Sequence, residues 1–287
     1  MKKIFKIDAL NSKIIFIFFI ICLIILSIFF TSCNKKSIYN NKQINVLVSI
    51  LPIKGVLYNI IKNDISKYKI EIIIDNPIDH HNIDFSSNLI NKLNYSNYVL
   101  SFNSLELEKE LSKKIDSNKL VSLYNSNYIS NDPHVWLSLK NLKNIYLNTF
   151  NFLYNIDKGN INYYKNNLNK TLTIIELYHN YLSNKLKKYE GKYILTYHNE
   201  YYYFARDYNL NIISYQYNET EPSLKELQNI VSLIKNEKIA FILSAPYYDN
   251  SVFNKLLNKA KKNIKIIVLN PFTQNTLQVF WEIYSNI

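Results

Sequence analysis

Residues 160–188 read NINYYKNNLNKTLTIIELYHNYLSNKLKK, and their spacing decides the architecture. Apolar or aromatic side chains fall at Ile161, Tyr164, Leu168, Leu172, Ile175, Tyr178, Leu182 and Leu186. The steps of three and four residues make one stripe on a helix. No Gly or Pro interrupts the stretch, and Gly159 and Gly191 bracket it. At 1.5 Å per residue such a helix would run for roughly 43 Å, longer than one small lobe requires. It reads as a strut between two lobes, with two shorter helices joined by an unmarked turn as the alternative.

On either side of the strut, short apolar runs alternate with helical patterns. The first group of strands is expected at Ile44–Ile50, Lys69–Ile74, Tyr98–Phe102 and Lys119–Leu123. The second is expected at Lys192–Tyr197, Leu210–Ser214, Lys238–Leu243 and Ile264–Leu269. Helical patterns between them include Ile53–Asn63, Ser87–Leu93, Asn199–Tyr208, Ser223–Asn236 and Asn250–Lys261. Strand–helix alternation builds parallel sheets with helices on both faces. The fold class is therefore α/β, with two (β/α)4-type lobes joined by a long rigid helix. The expected divisions are an N-terminal lobe over 44–157, a linking helix over 158–190 and a C-terminal lobe over 191–287.

Composition removes several functions. The chain of 287 residues holds only three Gly, where average usage would give about twenty. Three isolated Gly cannot form a Rossmann G-x-G-x-x-G turn or a Walker A loop. The formal net charge is +12, but the cations are scattered and form no block that would track a phosphate backbone. No nucleic-acid partner is expected.

The N-terminus reads as an address. Lys2, Lys3, Lys6 and Lys13 precede an apolar run from Ile14 to Phe30, and Thr31-Ser32-Cys33 follows. A basic region, an apolar core and small residues at the cut describe a secretory signal. The Cys after Thr-Ser resembles a bacterial lipobox, which implies a signal peptide over 1–32, lipidation of Cys33 and a tether over 33–43. An uncleaved anchor and simple secretion are the alternatives. All three place the remainder outside the cytoplasm, and the lipid would fix it to the cell membrane, facing the periplasm or cell exterior. Cys22 and Cys33 are the only cysteines, so the body has no thiolate metal site.

Of five His, three follow predicted strands. His81 comes after the strand ending near Ile74, His134 after the one ending near Leu123, and His198 caps the one ending at Tyr197. Ligands of open α/β sheets bind beyond the carboxyl ends of strands. Three imidazoles drawn from both lobes suit Zn²⁺ in an interlobe cleft, with one position left for water or another donor. His179 reads as a solvated residue of the long helix. Asp79, Asp84, Glu200 and Glu221 are candidates to orient ligating imidazoles. Asp132 is placed to cap the turn before His134, and Trp136 and Phe204 to pack the lobes and wall the site.

The ordered pieces resemble one family. Asp132-Pro133-His134-Val135-Trp136-Leu137 is similar to the D-P-H-x-W-L signature of the zinc/manganese solute-binding proteins of ABC importers. Val48-Ser49-Ile50-Leu51-Pro52, the Leu107-Glu108 segment, Thr196-Tyr197-His198 with Tyr203-Phe204-Ala205, Glu221-Pro222-Ser223 and Val268-Leu269-Asn270-Pro271 resemble further family segments in order. The resemblance implies a divalent metal held between the lobes by His81, His134 and His198, with His80 and Asn270 as secondary candidates. Asn270 stands where many members carry an Asp ligand, which leaves amide oxygen or water for the fourth position. It implies an importer component that captures Zn²⁺ and passes it to a membrane permease, a monomer and not an enzyme. Manganese or iron is the alternative cargo, and His198 in the third position favours zinc. A surface adhesin on the same scaffold is a second alternative. A zinc hydrolase with Glu200 as base is a third, and it lacks an H-E-x-x-H helix.

Overall fold

The computed structural model describes residues 43–76, 85–125, 132–216 and 220–287. The expectations for the signal, Cys33, Asp79, His80, His81 and Asp84 lie outside the described residues.

The first sheet contains β1 (Ile44–Ile50), β2 (Tyr68–Ile74), β3 (Tyr98–Ser101) and β4 (Leu120–Ser122). The second contains β5 (Tyr193–Thr196), β6 (Asn211–Ser214), β7 (Ile239–Ser244) and β8 (Ile266–Val268). Their orders, β2-β1-β3-β4 and β6-β5-β7-β8, are the same arrangement used twice, and every pairing is parallel. Central strands of such sheets are covered on both faces, so they read as continuous apolar runs rather than alternating ones. β1 illustrates this, with Val46, Leu47 and Val48 all buried in succession. In each sheet the order reverses beside the first strand, between β1 and β3 and between β5 and β7. Such a switch point opens a crevice at the strand carboxyl ends.

Nine helices surround the sheets among the described residues. They are α1 (Leu51–Ile61), α2 (Ser87–Tyr95), α3 (Glu106–Ser112), α4 (Leu139–Ile156), α5 (Ile161–Leu186), α6 (Tyr202–Asp207), α7 (Leu224–Lys235), α8 (Ser251–Ala260) and α9 (Thr276–Asn286). The strut is α5, one unbroken helix of 26 residues, about 39 Å long, with 3₁₀ turns at Lys158–Asn160 and Lys187–Tyr189. This excludes the two-helix alternative. Its buried face carries Tyr164, Leu168, Ile175, Leu182 and Leu186 from the predicted stripe. It packs on α1, α4 and α9. The Asn167 amide donates to the Ile60 carbonyl at 2.9 Å, tying the strut to the end of α1.

Near the foot of α5, Asp157 gathers four partners. Lys67 Nζ lies 2.5 Å from it, and Tyr164, Tyr68 and Asn160 donate at 2.6, 3.1 and 3.1 Å. Burial alone would raise this carboxyl, but Lys67 and the hydrogen bonds outweigh it and hold it below the ordinary aspartate range.

The C-terminal segment returns to the first lobe. A Cβ on Gly55 of α1 would stand 1.6 Å from the Gln274 carbonyl oxygen. Only glycine lets the main chain of 274 lie directly on α1. From there α9 packs against α5 and α1.

Candidate metal centre

His134 lies between β4 and α4, in a turn held from both sides. Asp132 Oδ1 accepts from the His134 backbone N–H at 2.8 Å and stands 2.6 Å from its Nδ1. A carboxylate against Nδ1 keeps the proton there and leaves Nε2 as the lone-pair donor. Asp132 Oδ2 accepts from Tyr202 N–H at 2.9 Å, so one carboxylate orients the imidazole and reaches α6 of the other lobe. The expected role of Asp132 at this turn is seen. Trp136 stands edge-on to the His134 ring at 5.1 Å and stacks on Phe102 at 5.7 Å. Its Nε1 donates to the Pro271 carbonyl at 3.0 Å, so Trp136 walls His134 and also ties the lobes together. Phe204 packs inside the second lobe against Tyr201, Tyr208 and Phe280.

His198 follows β5 at the switch point of the second sheet. It meets His134 edge to face, with ring centroids 5.5 Å apart and planes at 90°. His134 is 1% exposed and His198 8%. Beside them, Tyr197 stacks on Tyr248 at 4.3 Å with planes 4° apart, and Tyr248 lies tilted against His198 at 6.5 Å. The folding of two distant loops thus brings together two candidate ligands 64 positions apart in sequence. Among the described residues, no group of three His, Cys, Asp or Glu side chains stands ready to hold a metal. Two buried imidazoles, one with its tautomer set by a carboxylate, nonetheless form a donor pair suited to a borderline divalent ion.

The other candidates separate. Asn270 is exposed, and its Oδ1 accepts from Phe272 N–H at 2.9 Å, a turn within its own loop. Glu221 is exposed and braces Tyr215 and Gln216 by hydrogen bonds of 3.1 and 2.7 Å. It lines a cleft of ≈ 490 Å³ with Asn199, Tyr202 and Tyr215. His179 is not the solvated helix residue its position suggested. It is half-buried, with Nδ1 3.2 Å from the Tyr208 hydroxyl and its ring tilted on that tyrosine at 5.5 Å. Burial, then Lys140, lowers the pKa of its imidazole against a smaller opposing effect of Asp207.

Glu200 is the unusual member. It is 2% exposed, and its Oε1 has no hydrogen-bond partner. Burial, then the charge of Asp132, pushes its carboxyl well above the ordinary glutamate value. Proximity in sequence to His198 was the only signal that pointed to it.

The lobes also meet through polar side chains. Ser138 Oγ donates to Asp207, and Arg206 donates to Asn141 Oδ1 at 3.4 Å while pairing with Asp207 at 2.6 Å. No helix among the described residues is long and apolar enough to cross a membrane.

Residues 46–285 match the family described as zinc-uptake complex component A, periplasmic. The chain belongs to that family, one of periplasmic solute-binding proteins and not of enzymes. Among solved structures, a zinc-bound deletion mutant of ZnuA superposes with a TM-score of 0.69 at 19% identity, covering 85% of this chain and 96% of that one. The periplasmic zinc-binding protein TroA of Treponema pallidum gives 0.69 at 17%, covering 85% and 99%. The laminin-binding protein of Streptococcus agalactiae, titled as having adhesin and metal-transporting activity, gives 0.71 at 16%, also covering 85% and 99%. At these identities the likeness is one of fold. A curated protein of Treponema pallidum (strain Nichols), named for metal binding, is 25% identical over 158 residues, 54% of this chain. The match spans about half of that relative, 50% of its length.

Proposed function

We propose that this protein is the extracytoplasmic zinc-capturing component of an ABC importer. Zn²⁺ is its cargo, held between the lobes by His81, His134 and His198 and passed to a membrane permease. The observation that carries the reading is the meeting of His134 and His198 from opposite lobes, both buried, at 5.5 Å between ring centroids.

The division of labour follows from the chemistry. Asp132 fixes the His134 tautomer with the proton on Nδ1, so no proton has to leave Nε2 when the metal arrives. His198 adds a second neutral donor from the other lobe. His81 follows β2 in sequence and supplies a third, with water or Asn270 completing a tetrahedral set. A ligand set divided between lobes makes capture and release a matter of small lobe or loop movement. The contacts of Trp136 with Pro271 and of Asp132 with Tyr202 limit how far the lobes separate. A lipid on Cys33 would keep the protein beside its permease.

The test is zinc content of residues 34–287, wild type beside His134→Ala. One zinc per chain, lost in the variant, is the expected result. A wild type that holds no zinc would contradict the reading. Manganese is the competing cargo, and two buried imidazoles from opposite lobes favour zinc over a harder ion. Loading from an equimolar zinc and manganese mixture separates the two.

A further inference from the structure

We propose that Glu200 is the carboxylate that compensates the charge of the captured metal, the role the family resemblance gives to position 270, where this chain has Asn. The inference rests on the metal-binding reading above and adds a residue to it.

Glu200 is 2% exposed and its Oε1 has no partner. No ion pair joins it to a cation among the described residues, and its charged neighbour is Asp132, of the same sign. An ionised carboxylate in that position is costly unless it is paired. Such a group adds nothing to stability by itself, and a cation is the partner that would make its ionised form favourable.

The metal site has the complementary deficit. Its candidate ligands His134 and His198 are neutral donors. The Asp132 carboxylate is already shared between His134 and Tyr202. Asn270 is neutral, is exposed, and has turned its oxygen to the Phe272 N–H. A divalent ion buried beside two imidazoles calls for negative charge nearby, because attraction is strong where water is excluded. Glu200 lies two residues after His198 on the same loop, and its backbone N–H donates to the His198 carbonyl at 3.0 Å. The cation meets the need of the carboxylate, and the carboxylate meets that of the cation. Among the described residues, Glu200 does not form a three-membered ligating group with the two imidazoles. Its role therefore requires a side-chain rotation or a bridging water when the ion arrives.

The experiment compares wild type, Glu200→Gln and Glu200→Asp as purified residues 34–287, with zinc as the probe. Metal-free Glu200→Gln is expected to melt at the wild-type temperature or above it. Its zinc affinity is expected to fall at least about tenfold, in the range found when groups supporting a metal ligand are removed. Glu200→Asp should restore part of that loss. With Co²⁺ in place of zinc, the visible spectrum should change in Glu200→Gln. Opposite effects on the metal-free and metal-bound protein are the signature. A lower melting temperature without metal and unchanged zinc affinity in Glu200→Gln would make Glu200 structural and overturn the proposal. A wild type that binds no zinc would overturn the metal reading and this proposal together, and that result is read before any variant is made.

Discussion

Glu108 and Glu200 are both buried glutamates beside the carboxyl end of a parallel sheet, yet they have opposite surroundings. Glu108, 1% exposed, accepts four hydrogen bonds. They come from Ser49 Oγ at 2.5 Å and from the backbone N–H groups of Phe102, Ser104 and Leu105 at 2.9, 2.7 and 3.1 Å. It closes the switch point of the first sheet by joining the end of β1 to the chain after β3. Glu200, at the equivalent end of the second sheet, has an oxygen with no partner. Both carboxyls are raised by burial. For Glu108 the four hydrogen bonds offset part of the rise, whereas for Glu200 the second cause, Asp132, adds to it. Equal burial therefore does not mean equal purpose. A carboxylate surrounded by donors belongs to the fold, and one left without them is available to a ligand.

The strongest way to break this contrast is Glu108→Ala. Four donors would lose their acceptor in a dry interior, and the expected loss is about 4 kcal/mol in urea unfolding. The same measurement on Glu200→Gln should move by less than about 1 kcal/mol. Comparable losses at the two sites would erase the distinction. The pH dependence sharpens it. The folded pKa of Glu108 is raised, so its relative contribution is present below the ordinary glutamate value and fades as pH rises through the folded value.

Gly55→Ala comes next. The added Cβ would meet the Gln274 carbonyl oxygen at 1.6 Å, so α1 and the returning C-terminal segment must part. The expected cost is about 3 kcal/mol. Because Gly55 touches neither imidazole, zinc bound per folded chain should stay within about twofold, separating damage to the fold from damage to the site.

Asp157→Asn is the smallest of the three, about 2 kcal/mol at neutral pH, for a loss of charge-assisted bonds. Its sign in pH is opposite to that of Glu108. The folded pKa of Asp157 is depressed, so its stabilisation is present above the ordinary aspartate value and is lost as pH falls through the folded value. Urea midpoints followed from neutral to acid pH should flatten in the variant. A parallel acid loss in wild type and variant would mean that other carboxylates govern that flank.

Much of the fold was legible in the sequence because parallel sheets write themselves as apolar runs. Each of the eight expected strands overlaps an observed one, and Ile44–Ile50 coincides with β1. The strut was legible from its stripe. The helices at Glu106–Ser112, Leu139–Ile156 and Thr276–Asn286 were not singled out, although Ser138 caps the second by accepting from Asn141 N–H at 3.0 Å. At the site, the cap of Asp132 on the His134 turn was legible because it is local, two residues apart, whereas the hold of the same carboxylate on the imidazole Nδ1 was not read. What was hidden depends on distant packing. His179 meets Tyr208 across 29 positions, and Trp136 reaches Pro271 across 135. Gly55 is filled by Gln274 from the far end of the chain. The missing partner of Glu200 appears only when every neighbour has been placed.

The most direct test of the account is anomalous diffraction at the zinc edge from crystals of zinc-loaded residues 34–287. The predicted result is one strong peak between the lobes, about 2.0–2.1 Å from ring nitrogens of both His134 and His198. A peak elsewhere, or none between those two imidazoles, would contradict it.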